Sequence, residues 1–333
     1  MKTTLTATAA LLFALLLLLG CAAPPSVPSA TTAPAEAGET ARAESAPDTA
    51  VTLTDMTGRT VALDAPATRI VALAPGDCEI LHAIGAGDTL VGRGEYCDYP
   101  EAAAAVTSVQ TGSETNIEQI LALAPEVVVL NTMAQTLEQV EALENAGIKT
   151  VASRATDIAG TYEAIKMLGT LTGHTEEAAA LIDSMRAAFD ELSESALAAR
   201  GDGARTVYFE VSPLQYGLWT AGSGTFMDEI AGLLGLTNAF ADVKDWVEIS
   251  EEQVLERNPD VIVTISMYFG EGPTPEEEIM QRKGWNNVSA VQNGAVFTAD
   301  NNTMARPGPR LVEAASALYA AVYGGQGTLA PAA

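Results

Sequence analysis

Two glutamates, Glu118 and Glu252, stand at matched places in a chain that offers little else to a catalyst. Each falls in the first turn of a helix expected to start at Asn116 or Ser250. Each cap has a glutamine three residues later, Gln119 or Gln253, as in a capping box. An acid in a first turn is stabilised by the helix dipole by about 0.3–1 kcal/mol, whatever else it does. Histidine is scarce, with only His82 and His174. A His-rich zinc or manganese site is therefore not expected, and no metal ligands are assigned. His82, flanked by Leu81, is read as a packed residue, and His174 as one flanking a helix. A secreted hydrolase would need a nucleophile beside a base. The chain has no Gly-x-Ser-x-Gly elbow, and neither histidine is well placed for a Ser–His pair. Gly222-Ser223-Gly224-Thr225 lacks the Gly-Lys-Ser/Thr of a phosphate loop and reads as a glycine turn, with Thr225 capping the next helix. No enzyme activity and no resident cofactor are expected. Cys78 and Cys97 follow two successive strands. A disulfide, two buried inert thiols and a thiolate ligand to a bound metal all stay open.

The elements that would position these residues begin after an export signal. Met1-Lys2 gives a positive end, and Leu11 to Leu19 is an apolar run too short to span a bilayer. It ends in Leu18-Leu19-Gly20-Cys21, which resembles a bacterial lipobox, so residues 1–20 are expected to be removed and Cys21 acylated. In residues 22–50, 22 of 29 are Ala, Pro, Ser or Thr, too few apolar groups to offset the entropy of ordering. That stretch reads as a tether holding the protein outside the cytoplasm, anchored to the membrane. The formal net charge of −26 argues against nucleic acid or an anionic lipid surface as a direct partner.

From Val51 the pattern is that of a folded body. Residues 51–68 read as a hairpin around Met56-Thr57-Gly58. Strands then alternate with helices: Arg69–Ala74, Thr89–Gly92, Val127–Leu130, Lys149–Ala152, Val207–Val211, Val261–Ile265 and Val296–Ala299. Such alternation implies parallel sheets covered by helices. An internal repeat divides them. Residues 118–129, Glu-Gln-Ile-Leu-Ala-Leu-Ala-Pro-Glu-Val-Val-Val, return 134 positions later as Glu-Gln-Val-Leu-Glu-Arg-Asn-Pro-Asp-Val-Ile-Val at 252–263. A fainter echo links Glu79-Ile80…Gly85 to Glu229-Ile230…Gly235. The period is domain-sized and predicts two α/β lobes, 69–160 and 204–325, with residues 326–333 as a tail. Between them, 161–203 has helical composition, and Glu176–Ala199 is expected to be one helix about 36 Å long, at roughly 1.5 Å per residue. One stiff helix joining two lobes would allow only a small hinge angle.

The order and spacing of four segments resemble the periplasmic iron-chelate and vitamin B12 binding family over residues 69–323. They are Arg69-Ile-Val-Ala-Leu-Ala-Pro with Glu79; Gly85-Ala-Gly-Asp-Thr-Leu-Val-Gly with Tyr96-Cys-Asp-Tyr-Pro; Asn116-Ile-Glu-Gln-Ile with Pro125-Glu-Val-Val; and Trp246-Val-Glu-Ile-Ser-Glu-Glu-Gln-Val-Leu with Asn258-Pro-Asp-Val-Ile-Val. Arg306-Pro-Gly-Pro-Arg310 resembles the family's entry to its last helix. The resemblance implies two Rossmann-like lobes with parallel sheets joined by a rigid helix. It implies a monomer that captures a metal chelate between the lobes and hands it to an ABC permease and its ATPase subunits. Glu118 and Glu252 match the acids that dock on permease arginines in that family. Tyr96 and Trp246 match aromatic positions that contact cobalamin in its B12 branch, and both are read as lying in loops after strands. Tyr99, Tyr216, Trp219, Tyr268 and Arg306 are further candidates for the binding cleft. Where the branch has a tryptophan before the Asn116 helix, this chain has Gly112. Cobalamin or another corrinoid is the first expectation for the cargo, with a ferric siderophore or haem as the alternative.

Overall fold

The computed structural model describes residues 49–324, apart from Met133 and Asp202. The signal, the Cys21 acylation site, nearly all of the tether and the 326–333 tail lie outside the described residues. A hairpin opens the fold, β1 (Val51–Thr54) antiparallel to β2 (Thr60–Leu63). Its turn closes on Asp55, whose carboxylate accepts from the Thr57 and Arg59 backbone N–H groups at 2.9 and 3.0 Å. The other Asp55 oxygen accepts from the Ala152 N–H at 3.2 Å and ties the hairpin to the first lobe.

That lobe holds β3 (Ile70–Ala72), α1 (Pro75–Ala83), β4 (Leu90–Gly94), β5 (Ser108–Val109), α2 (Ile117–Ala122), β6 (Val127–Asn131), α3 (Leu137–Asn145), β7 (Lys149–Ser153) and α4 (Ile158–Thr172). Its sheet is parallel throughout, in the order β5-β4-β3-β6-β7. The central strands are buried on both faces, so Ile70-Val71-Ala72 and Val127 to Leu130 are continuous apolar runs.

After α5 (Thr175–Ala199), the second lobe holds β8 (Thr206–Ser212), β9 (Leu218–Ala221), α6 (Phe226–Leu233), β10 (Thr237–Asn238), β11 (Trp246–Ile249) and α7 (Glu251–Arg257). It continues with β12 (Val261–Thr264), α8 (Pro275–Met280), α9 (Ser289–Gln292), β13 (Val296–Thr298), α10 (Asn301–Met304) and α11 (Leu311–Tyr323). Its order is β11-β9-β8-β12-β13, with β10 also on β8. Here the expectation of parallel sheets needs correction. β9 is antiparallel to β8, and β11 antiparallel to β9. The short link from β8 to β9 turns at Gly217, φ +88°, and is too brief for the crossover that parallel strands require.

The repeat is visible in the backbone. Ala124 and Asn258, 134 positions apart, both have φ of +45° and both precede a proline. Non-glycine residues rarely adopt that conformation, so its recurrence marks two copies of one helix-to-strand turn. The strands that follow, β6 and β12, each pair with the first strand of their lobe, β3 or β8. The caps differ slightly. Ser250 and Gln253 form the full capping box. Asn116 accepts from the Gln119 N–H at 3.0 Å, but the Gln119 side chain accepts from the Gln110 N–H instead.

The segment expected to join the lobes is covered by two helices, α4 of the first lobe and α5. α4 begins at Ile158, ahead of the expected boundary, and ends at Gly173, φ +77°, with His174 leading into α5. The 25 residues of α5 span about 37 Å. Its buried residues, Ala178, Met185, Phe189, Leu192 and Ala196, form one stripe. They pack into a core that also takes Ile70, Val127 and Val129 of the first sheet and Val207, Phe209, Val261 and Val263 of the second. α5 packs against α4 of the first lobe and against α6 and α11 of the second. One continuous apolar core therefore runs through both lobes, and a large hinge opening would have to break it.

Candidate functional site

The lobes meet where the C-terminal ends of their strands face each other, the usual ligand edge of an α/β sheet. α1 leaves β3 through Pro75, and Gly76 lies so close to the Arg306–Gly308 turn that a Cβ there would stand 2.4 Å from the Pro307 carbonyl oxygen. Only glycine allows that approach. One helical turn on, the buried Glu79 carboxylate accepts from Arg310 across the lobes, Nη2 to Oε1 at 2.6 Å and Nε to Oε2 at 2.9 Å. Arg306 reaches Glu79 at 3.4 Å, Asp98 at 2.6 Å and the Asn302 side chain at 2.6 Å. The Arg310 guanidinium lies 4.0 Å from the Tyr99 ring centroid. The echo of this motif crosses the other way. Glu229 of α6 accepts from the Ile158 N–H at the start of α4, and Phe226 N–H bonds the Thr156 carbonyl at 2.9 Å. Each lobe thus sends a glutamate from the same repeat position into its neighbour.

Asp77 lies beneath this contact. Burial pushes its carboxyl up to about 7, against a hydrogen bond from Ser153 that favours the charge. Its Oδ2 has no hydrogen-bond partner among the described residues. The unfolded chain releases this proton near pH 4. The folded chain keeps it until about 7. Stability therefore falls as pH rises through that window and is flat above it. Asp77→Asn should be more stable than the parent at pH 8, with the gap closing towards pH 4–5. Urea unfolding at both pH values tests this, and a gap that ignores pH would contradict it.

The second lobe carries a cavity of about 540 Å³ at the ends of β8 and β12. Tyr216, Met267, Tyr268 and Phe269 line it, with Glu210, Glu271 and Glu278. Arg282 is buried beside it and bonds Glu210 twice, at 2.6 and 2.8 Å, as well as Glu278. Burial pushes the Glu210 carboxyl above its ordinary range despite these bonds. Burial also works against the Arg282 charge, but hydrogen bonds from its guanidinium to Glu210 and Glu278 outweigh it and hold the group protonated.

Other expected residues scatter around these features. Tyr96 is exposed on the loop after β4, and Tyr99 follows it. Tyr268 follows β12, as the sequence suggests. Trp219 and Trp246 do not lie in loops: Trp219 is in β9, and Trp246 opens β11, where it is half-buried against Phe226 with ring centroids 5.6 Å apart. Gly112 has φ +87° and open space where a Cβ would sit. The loop turns there with a backbone that a tryptophan would adopt only under strain. His82 is half-buried and packs over Gly87, and burial lowers its pKa. Cys78 and Cys97 are neighbours, both buried, and both are free thiols rather than a disulfide. Their sulfurs share the Ala72 carbonyl, at 3.6 and 3.9 Å. Glu118 and Glu252 are exposed on α2 and α7. The Glu252 carboxylate is held below its ordinary range by its own backbone N–H and the Ser250 hydroxyl. The Glu79–Arg310 pair was missed from sequence, because 231 positions separate its members and no local pattern links them.

Two α/β lobes, a joining helix and ligand edges turned towards each other define the architecture of an extracytoplasmic solute-binding protein. The chain belongs to the periplasmic binding protein family, whose model matches residues 70–303. It is 30% identical to an uncharacterized ABC transporter substrate-binding lipoprotein, YvrC, of Bacillus subtilis, over 82% of this chain and 85% of that one. It is 31% identical to a cobalamin-binding protein of Halobacterium salinarum, over 90% and 82%. The crystal structure of the periplasmic vitamin B12 binding protein BtuF of Vibrio cholerae superposes with a TM-score of 0.64 at 27% identity, covering 78% of this chain and 99% of that one. Among the described residues, no helix is long and apolar enough to cross a membrane.

Proposed function

We propose that the chain is the capture subunit of an ABC importer, held outside the membrane by an acylated Cys21, with cobalamin or a related corrinoid as its cargo. The observation that carries this reading is the make-up of the two facing edges. Aromatic rings stand exposed on both, Tyr96 and Tyr99 on one, Tyr216, Trp219 and Tyr268 on the other. Flat rings suit a flat macrocycle. The arginines beside them, Arg282, Arg306 and Arg310, are already bonded to carboxylates. An anionic siderophore would need such cations free, whereas a near-neutral corrinoid would not. The relatives named for cobalamin and vitamin B12 favour the same cargo over a ferric siderophore or haem. Tyr96, Tyr99, Trp219, Trp246 and Tyr268 are the proposed contacts, with Arg306 acting through its bonds to Glu79 and Asp98. The protein works as a monomer, performs no chemistry and holds no cofactor of its own. Glu118 and Glu252, one on each lobe, dock on a permease coupled to ATPase subunits.

Tyr96→Ala and Trp219→Ala should each weaken cyanocobalamin binding about tenfold, the effect of losing roughly 1.4 kcal/mol. Tryptophan fluorescence quenching measures it for Tyr96→Ala and calorimetry for both. Unchanged affinity in both variants would remove these rings from the site.

A further inference from the structure

Leu121 and Leu255 occupy the same place in the two repeats, each three residues after its glutamate. Both stand in water, 39% and 37% exposed. The buried residue of each short helix is its neighbour, Ile120 in α2 and Val254 in α7. Residues three apart share a helix face. Each leucine therefore sits beside its exposed glutamate, on the side turned away from the core. On the first lobe α3 packs next to α2 and opens with Leu137, 71% exposed. A single exposed leucine means nothing. An exposed acid with an exposed leucine one turn on, repeated at the same interval in both lobes, is a patterned surface.

The geometry points to a two-part docking surface: Glu118 with Leu121 on one lobe, Glu252 with Leu255 on the other. It fits a permease whose outer loops present an arginine beside an apolar socket, twice over. This rests on the docking reading of the two glutamates and adds its apolar half. The acids complement a cationic partner, steer its approach and fix register, and they weaken with salt. The leucines bury apolar area once the surfaces meet, which slows dissociation and resists salt. None of these four residues is among the proposed cargo contacts, so docking strength can change without changing cargo affinity.

The test places the photocrosslinker p-benzoylphenylalanine at positions 118, 121, 252 and 255 of the full-length chain in the cells that make it. The exposed Leu197 on α5 serves as control. Mass spectrometry then identifies the crosslinked peptides. Crosslinks from 121 and 255 to extracytoplasmic loops of a membrane-spanning permease, and none from 197, are expected. In a second arm, Leu121→Gln with Leu255→Gln should lower crosslinking from 118 and 252 about tenfold, with the thermal midpoint unchanged. Crosslinks from 118 and 252 alone would overturn the apolar half and leave the docking glutamates standing. No permease crosslink from any of the four would overturn both. Crosslinks from 121 and 255 to a second copy of the chain or to lipid would overturn the assignment of the partner.

Discussion

Arg282→Ala is expected to destabilise the protein by about 3–5 kcal/mol, the range for breaking a buried ion pair by removing one partner. The Arg282 side chain is 2% exposed and that of Glu210 is 1%. The guanidinium also lies 4.6 Å from the Trp285 ring centroid, so its removal opens space against the largest fully buried side chain of the second lobe. The main cost is the Glu210 carboxylate, left in the interior with the Tyr208 hydroxyl at 3.4 Å as its remaining side-chain donor among the described residues. Burial already raises its pKa with the arginine present. Without the arginine the folded chain will hold that proton to still higher pH, while the unfolded chain releases it near pH 4.5. The parent carries part of the same penalty, so the deficit should grow as pH rises above the parent's own raised folded-state value and be smaller at pH 5 than at pH 8. Chemical denaturation at the two pH values reads this directly. Glu210→Gln combined with Arg282→Met should recover much of the loss, because no unpaired charge remains in the interior and Glu278, 39% exposed, keeps its water. A deficit below 1 kcal/mol at pH 8 would mean that water reaches the pair.

Glu118→Ala combined with Glu252→Ala should cut cargo uptake at least tenfold in cells carrying this chain as their only copy, on the scale of two lost charge-assisted contacts. Cargo affinity of the purified variant should be unchanged, because neither glutamate is among the proposed cargo contacts. Folding should change little. The caps at Asn116 and Ser250 remain, and a first-turn acid contributes only about 0.3–1 kcal/mol to its helix. Each single variant should fall between parent and double variant, since either lobe alone retains one contact. Uptake at the parental rate in the double variant would reduce both glutamates to helix-end acids.

Much of this fold can be read from the chain because its signals are local. Val127 to Leu130 and Val261 to Val263 are short apolar runs of the kind that suits strands covered on both faces. The stripe along α5 repeats at helical spacing over 25 residues, long enough to stand out from any loop. The 134-residue repeat puts Ala-Pro and Asn-Pro at the same place, but the positive φ before each proline is visible only in the structure. What escapes is set by distant partners. β9 and β11 are four residues each, bounded by Gly217 and Asp245, and they become strands only by pairing with β8 and each other. Trp246 therefore reads from sequence as a loop residue, although it opens β11. The bonds of Glu79 to Arg306 and Arg310 depend on the lobes docking. Leu121 and Leu255 match in the repeat, but leucine at helical spacing reads as core, and only their exposure separates them from Ile120 and Val254.

Capture of a corrinoid is tested most directly by titrating the purified mature chain with cyanocobalamin, dicyanocobinamide, haemin and a ferric hydroxamate, followed by absorbance and calorimetry. A single saturable site for a corrinoid, submicromolar and with no comparable site for haemin or the ferric chelate, is the expected result. Tight binding of haemin or the ferric chelate, with no binding of either corrinoid, would contradict it.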